Sequence, residues 1–327
     1  MGIKNLFKVI SQNAPNSITE KKIEDYKNKF VALDANMIIY QYVIAIRNTG
    51  KDLTNSKGEM TSHILGVISK SLFLLKHKIY PVFVFDGKPP EMKYDTICKR
   101  KETLKKNKDK LEICDEKDKT KYFKRSFNLT KDQIKDTKEI LKSLGIPIVE
   151  AKSEADIMCA ELVKKGLVYG TISEDMDLLT FGSNRLIRKL KASNKKKIIE
   201  IDLKSVLEEL EIDMNQFIDL CILLGCDYLP KIGKVGLKTA LNIIKKYKSI
   251  DKFIKNDPKI ESGYYKIPEN YDYKKISKFF KNPPKNKSVN VKYKKVNYKK
   301  FNELMLNKYN FKQSKIEEYI KKFKAYI

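Results

Sequence analysis

The sequence predicts an α/β fold in which helices flank a mostly parallel, twisted central sheet. Three observations carry that expectation: short β-rich runs alternate with apolar-faced helical patterns, acids recur at the ends of the runs, and one charge-dense stretch interrupts them. "KFVALD" (29–34) reads as a strand, "SHILGVISKSLFLLKH" (62–77) as an apolar-faced helix, and "YPVFVFD" (80–86) as a second buried strand running into Gly-Lys-Pro-Pro. Strand, helix and strand in that order imply parallel pairing with a crossover helix. From Arg100 to Arg125 the chain holds 11 basic and 6 acidic residues with little apolar periodicity, which suits a mobile helical cap better than a core segment. The pattern resumes with a helix at 131–145, a strand "IPIVE" (146–150), a helix from Glu154, a strand "GLVYGTIS" (166–173) and an apolar helix "NQFIDLCILLG" (215–225). "KIGKVGLKTALNIIKKY" (231–247) places glycines in a short turn before an amphipathic helix, and beyond residue 273 the chain becomes Lys-, Tyr- and Asn-rich. No internal repeat is visible.

Composition narrows the partners. The 327 residues carry 68 Lys plus Arg against 41 Asp plus Glu, a formal charge of +27. Such a surplus opposes compaction by self-repulsion, so a polyanion is the natural partner; the competing account is a compositional bias toward Lys, Asn and Ile. The five cysteines (Cys98, Cys114, Cys159, Cys221, Cys226) form no C-x-x-C pair and sit mostly in apolar surroundings, as reduced core thiols of a cytosolic or nuclear protein do. No run approaches the roughly 18 apolar residues of a membrane helix, and no signal peptide is visible. The opening "MGIKNLF" lacks the Ser or Thr of a myristoylation site, so Gly2 is not expected to carry a lipid.

The acids fall in a telling order. Asp34 and Asp86 end strands, Asp175 and Asp177 follow a later one, Asp227 follows the apolar helix, and Glu154 and Asp156 open a helix. In an open parallel sheet the carboxyl ends of the strands share one edge, where ligands bind, so these seven acids are expected to converge. Carboxylates that close repel by several kcal/mol in a partly buried site unless a counter-charge joins them, and hard divalent cations such as Mg²⁺ supply it. Duller readings stand beside this one: Ser153 and Asp156 fit a capping box, Glu154 fits a first-turn acid, and Asp34 and Asp86 fit turn residues. Beside the acids, Pro89 and Pro90 introduce a helix on which Lys93 and Arg100 stand seven apart, on one face and roughly 10 Å from each other. A basic pair there can neutralise a phosphate and the charge that develops as it reacts.

Eight stretches, "MGIKNL", "VALDANMIIYQYVIAIR", "TSHILG", "PVFVFDGKPPEMK", "SLGIPIVEAKSEAD", "SEDMDLLTFGS", "FIDLCILLGCDYLP" and "GLKTALNIIKKYKSI", closely resemble the flap endonucleases of the 5′-nuclease superfamily, in register from residue 1 to about 260. The resemblance implies a PIN-like nuclease fold: an N-terminal nuclease region (1–104), a helical cap or arch (105–129) and an internal region (130–327) with a helix-hairpin at about 228–263 and C-terminal helices, one nuclease unit in all. It implies hydrolysis of phosphodiesters at single-strand/duplex junctions with two Mg²⁺, for which Mn²⁺ substitutes. Asp34, Asp86, Glu154 and Asp156 would hold one ion, and Asp175, Asp177 and Asp227 the other. Lys93 and Arg100 would act on the scissile phosphate, and Tyr40 would stack on a base near the cut, a contact worth ~1–3 kcal/mol that reads no sequence. Gly2, Gly233, Lys234, Gly236, Lys238 and Thr239 would touch DNA, the hairpin through its amides and a monovalent cation.

Three features depart from the family. Glu154-Ala155-Asp156 stands where Glu-Ala-Glu is usual, which shortens the reach of the last acid by one methylene. Lys234-Val235-Gly236 replaces Gly-hydrophobic-Gly, with Gly233 shifted forward. No clear sliding-clamp motif is present: Gln313, Ile316, Tyr319 and Ile320 mimic part of one, but fall where the family has a structural helix. The partner is therefore expected to be branched or flap DNA, bound by a monomer, with no membrane; the location is nuclear for a cellular protein, and cytoplasmic or a replication compartment for a viral one. An exonuclease or gap nuclease on the same scaffold, or a non-catalytic binder of DNA structure whose acids hold a structural cation, are the alternatives.

Overall fold

The computed structural model describes residues 2–190, 197–286 and 289–326, so Lys287 of the Lys-rich stretch lies outside the described residues. Seven strands form with helices between them: β1 Ile18–Lys21, β2 Phe30–Asp34, β3 Tyr80–Phe85, β4 Ile148–Glu150, β5 Gly170–Ile172, β6 Arg185–Arg188 and β7 Ile198–Asp202. Internal packing divides the chain into two compact units, each woven from three segments.

One unit comprises residues 26–87, 97–151 and 287–327. Its strands β2, β3 and β4 pair in parallel, Phe30 opposite Tyr80 and Phe83 opposite Ile148. Val31, Ala32, Leu33, Val82, Phe83 and Val84 are fully buried, as expected of a parallel strand covered on both faces. Two helices, Ala35–Arg47 and Ser62–Lys76, pack together so closely that a methyl group on Gly66 would press on the Tyr42 ring. The charge-dense stretch forms the helices Tyr94–Ile113 and Glu116–Arg125, neither of which buries a single residue. Their foothold is Arg47: its guanidinium grips both oxygens of Asp52 at 2.9 and 2.7 Å, donates to the Phe123 carbonyl at 2.8 Å and lies over the Phe123 and Phe127 rings. The C-terminal helix Gln313–Tyr326 buries Ile316, Tyr319 and Phe323. Two members of the clamp-like pattern are thus packed inward.

The other unit comprises residues 1–25, 88–96 and 152–286. Here β5 pairs in parallel with β6, but β6 with β7 and β7 with β1 are antiparallel. The expected parallel pairing therefore holds for β2 to β4 and for β5 with β6, and an antiparallel edge makes the arrangement mixed. The strand expected over 166–173 begins only at Gly170, because the preceding residues form the turn that leaves the helix Ala155–Lys164. The apolar helix Met214–Leu224 is buried over most of its length and starts from a capping box between Asp213 and Gln216. No helix among the described residues is long and apolar enough to cross a membrane.

Candidate active site

In the first unit the acids stand where the strands end. Asp34 closes β2 and caps the next helix, its Oδ1 accepting from the Met37 amide at 3.0 Å. A local backbone role, here a helix cap where the sequence suggested a turn, thus coexists with its place at the end of the strand. Asp86 follows β3 directly; it is exposed, and Asn36 Nδ2 donates to it at 2.7 Å. Arg100 is exposed on the helix Tyr94–Ile113. Tyr40 is half-buried: its ring meets Phe127 edge-on at 5.0 Å and its hydroxyl accepts from the Leu129 amide at 3.2 Å, tying it to the base of the charged helices.

The second unit gathers Lys93, Glu154, Asp175, Asp177 and Asp227. Lys93 ends a 3₁₀ turn, Glu91–Lys93, which starts from Pro90, so the first turn after the prolines is tighter than the α-helix the spacing implied. Its ammonium pairs with Glu154 and lies 3.8 Å from Asp227. Burial pulls the Lys93 pKa down, but Glu154, followed by Asp227 and Asp156, more than offsets it and raises it above the ordinary lysine value. Glu154 is the N-cap residue of the helix Ala155–Lys164, and no side chain caps that helix, so the capping box suggested by Ser153 and Asp156 does not form. Instead Tyr228 donates its hydroxyl to Glu154, and burial first and then the Glu154 charge raise the phenol well above its usual value. Tyr228 is wedged against Phe279 and Phe280, which fixes its ring.

Asp175 and Asp177 are built into one turn. The Asp175 amide donates to Ser173 Oγ at 2.9 Å, and the Asp177 amide donates to Asp175 Oδ1 at 3.1 Å. Asp177 is 3 % exposed, and its Oδ1 has no hydrogen-bond partner. Burial drives its carboxyl well above the usual range, Asp175 and Asp227 add to the shift, and Lys93 and the Ile3 amide oppose it. Gly2 lies directly over this pair: its φ is +72°, and a Cβ there would overlap both carboxylates. The Asp227 backbone is held by the Thr96 hydroxyl, which donates to its carbonyl at 2.7 Å. Among the described residues no three acidic, His or Cys side chains are arranged as a closed metal site; Lys93 supplies the positive charge at the Glu154 side. The donor set nevertheless fits a hard cation, because a buried carboxylate oxygen without a partner, repelled by two neighbouring acids, is the group such an ion stabilises.

The hairpin departs from the family as its residues suggest. Lys234 sits in the left-handed region at φ +62°, a conformation glycine takes without strain, and its ammonium lies 4.3 Å from the Tyr264 ring centroid. Gly233 donates to the Lys266 carbonyl at 3.0 Å, Gly236 caps the helix Leu237–Tyr247, and Lys238 and Thr239 occupy its first turn with Lys238 exposed. Sequence reasoning missed Tyr228, Asn36, Ser173 and Thr96. The signals lay next to the acids, in "LDAN", "TISED" and "CDY", but each residue type also reads as ordinary core or turn.

The XPG N-terminal domain matches residues 1–107 and the XPG I-region residues 145–227. Flap endonuclease 1 of Entamoeba dispar is 45 % identical over 278 residues, 83 % of this chain and 73 % of that protein. Flap endonuclease 1 of Glycine max is 40 % identical over 335 residues, 99 % of this chain and 87 % of the relative. Among solved structures, the flap endonuclease-1 of Methanococcus jannaschii superposes with a TM-score of 0.74 at 29 % identity, covering 95 % of this chain and 96 % of that one. The catalytic core of Rad2 in complex with DNA substrate shares the fold, with a TM-score of 0.73 at 24 % identity over 100 % of this chain and 99 % of that one. The chain belongs to the flap endonuclease family.

Proposed function

We propose that the chain is a Mg²⁺-dependent, structure-specific nuclease that cuts DNA where a 5′ single strand meets duplex, in replication and repair, and that it also degrades 5′ ends exonucleolytically. The observation that carries the metal-dependent reading is the buried Asp177 carboxylate held beside Asp175 and Asp227, an arrangement that a divalent cation stabilises. Asp34, Asp86, Glu154, Asp156, Asp175, Asp177 and Asp227 are the proposed oxygen donors, for two Mg²⁺ or Mn²⁺. Such ions, when bound, supply Lewis acidity for in-line attack of water on the phosphodiester. The chain's own groups do the rest. Lys93 and Arg100 neutralise the scissile phosphate, Tyr228 fixes the rotamer of Glu154, and Gly2 lets the backbone approach Asp175 and Asp177. Tyr40 presents a ring for a base to stack on. Gly233, Lys234, Gly236, Lys238 and Thr239 grip duplex phosphates, with a monovalent cation at the hairpin. The protein acts as a monomer; its location is the nucleus in a cell, and the cytoplasm or a replication compartment for a virus. Labelled flap, nicked and single-stranded substrates incubated with Mg²⁺ or with EDTA test this reading: cleavage is expected at the flap junction with Mg²⁺ alone. Tight flap binding with no cleavage under any divalent ion would leave a DNA-structure binder instead.

A further inference from the structure

The Lys-rich stretch is anchored, not loose. Residues 289–297 form neither helix nor strand, and Tyr293 pins them: its hydroxyl donates to the Pro81 carbonyl at 3.0 Å, and its ring meets Phe30 at 6.1 Å and Tyr80 at 5.7 Å. The Lys294 amide donates to the Gly145 carbonyl at 2.9 Å and the Asn297 amide to the Ser143 carbonyl at 2.8 Å. Gly145, at φ +68°, lies so close under the Lys294 carbonyl that a Cβ would overlap it. Asn297 then caps the helix Tyr298–Glu303. With Val291, Tyr293 and Val296 half-buried, Lys292, Lys294 and Lys295 are turned outward, and Lys299 and Lys300 continue the exposed row on the helix. Among the described residues none of these five makes an ion pair. Other lysines behave differently: Lys308 binds Asp136 and Glu139, and Lys274 binds Asp251. From Tyr273 to Lys300 the sequence has 11 lysines and no acid.

An anchored backbone that holds five uncompensated lysines within the nine residues from Lys292 to Lys300 opposes its own stability unless something outside neutralises them. Position narrows the choice of what that is. Tyr293 sits on Phe30 and Tyr80, the first residues of β2 and β3, whereas Asp34 ends β2 and Asp86 follows β3. Four residues of strand, roughly 13 Å, separate the two levels. The row is therefore at the opposite end of these strands from the acids.

We propose that Lys292, Lys294, Lys295, Lys299 and Lys300 form a second DNA-contacting surface that holds duplex phosphates remote from the cut. The inference takes from the functional reading only that the polyanion is DNA. Such a surface raises affinity without sequence preference and leaves the chemical step alone, since it stands at the opposite end of β2 and β3 from Asp34 and Asp86. Duplex and flap binding by wild type and by a Lys292→Ala, Lys294→Ala, Lys295→Ala variant, measured across a salt series, tests it. Each neutralised phosphate contributes about −0.9 to the slope of log K against log salt, so the variant's slope is expected to be shallower by roughly 2–3 on both substrates. Single-turnover cleavage at saturating enzyme is expected to stay at the wild-type value, and the melting temperature of the free protein to hold or rise slightly as like-charge repulsion is relieved. An unchanged slope overturns the proposal, as does loss of binding to poly-glutamate with the duplex slope intact, which would mark an acidic-protein surface. If the triple variant fails to fold, Lys295→Glu carries the same test, with a slope shallower by about 1 or more expected. Because duplex binding is read without divalent ions, failure of wild type to cleave would count against the nuclease reading and not against this surface.

Discussion

The acids around Asp177 and the helices Tyr94–Ile113 and Glu116–Arg125 both crowd charge, yet only the first takes it out of water. On the helices, Lys119 meets Glu116 at 2.7 Å and Lys121 meets Asp118 at 3.1 Å, all of them largely solvated. Water and salt screen such pairs almost completely. Around Asp177 the carboxyl is buried against Asp175 and Asp227, so its charge is expensive and its environment selects for a counter-charge. Charge density in a sequence is therefore a weak functional signal, and charge that the fold desolvates is a strong one.

The sharpest way to break that contrast is Asp175→Asn. The amide keeps the acceptor for the Asp177 N–H but removes a charge, so cleavage is expected to fall by at least ~10³-fold, about 4 kcal/mol, while flap binding stays near wild type or tightens. Retained Mg²⁺-dependent activity within a few-fold would sink the assignment. Next come Lys93→Ala and Arg100→Ala, each expected to slow single-turnover cleavage by at least ~10²-fold, about 2.7 kcal/mol. If the dissociation constant alone moved, both would be ordinary backbone contacts.

A smaller effect probes desolvation away from the acids. His63 is buried with Asp136 3.6 Å away, and burial, only partly offset by Asp136, lowers its pKa below 6.5. The folded state thus favours neutral imidazole, and the unfolded chain takes up the proton first as pH falls. Stability is expected to be intact above about pH 7 and to decline below 6.5 toward the folded pKa, by at most about 1.4 kcal/mol per pH unit. Urea titrations of wild type and His63→Asn at pH 7.5 and 5.5 check this; equal pH dependence in both would exonerate His63. The smallest effect belongs to the exposed helices: Lys119→Ala and Lys121→Ala are expected to leave the melting temperature within error. A clear drop would mean that those pairs are less solvated than their exposure indicates.

Much of this was legible because the strand-end acids are few and well separated, so Asp34, Asp86, Asp175 and Asp177 could be placed on the fold from their runs alone. The sequence misled where one residue type serves two ends. "SEAD" satisfies a capping box, yet Glu154 turns to Lys93 and Tyr228. Tyr228, after an Asp, reads as core and is core on its Phe279 and Phe280 side, while its hydroxyl works on the site. The strands β1, β6 and β7 escaped notice because "ITEK", "RLIR" and "IIEID" are only four or five residues each and carry charges, too short to show a period.

The seating of Gly2 over Asp175 and Asp177 has a practical consequence for anyone producing the protein. Residues fused ahead of Gly2 must leave the chain from beside those two carboxylates, where an affinity tag would compete with substrate for the same space. A tag after the helix Gln313–Tyr326, a segment that carries none of the proposed site residues, is the placement for kinetic work.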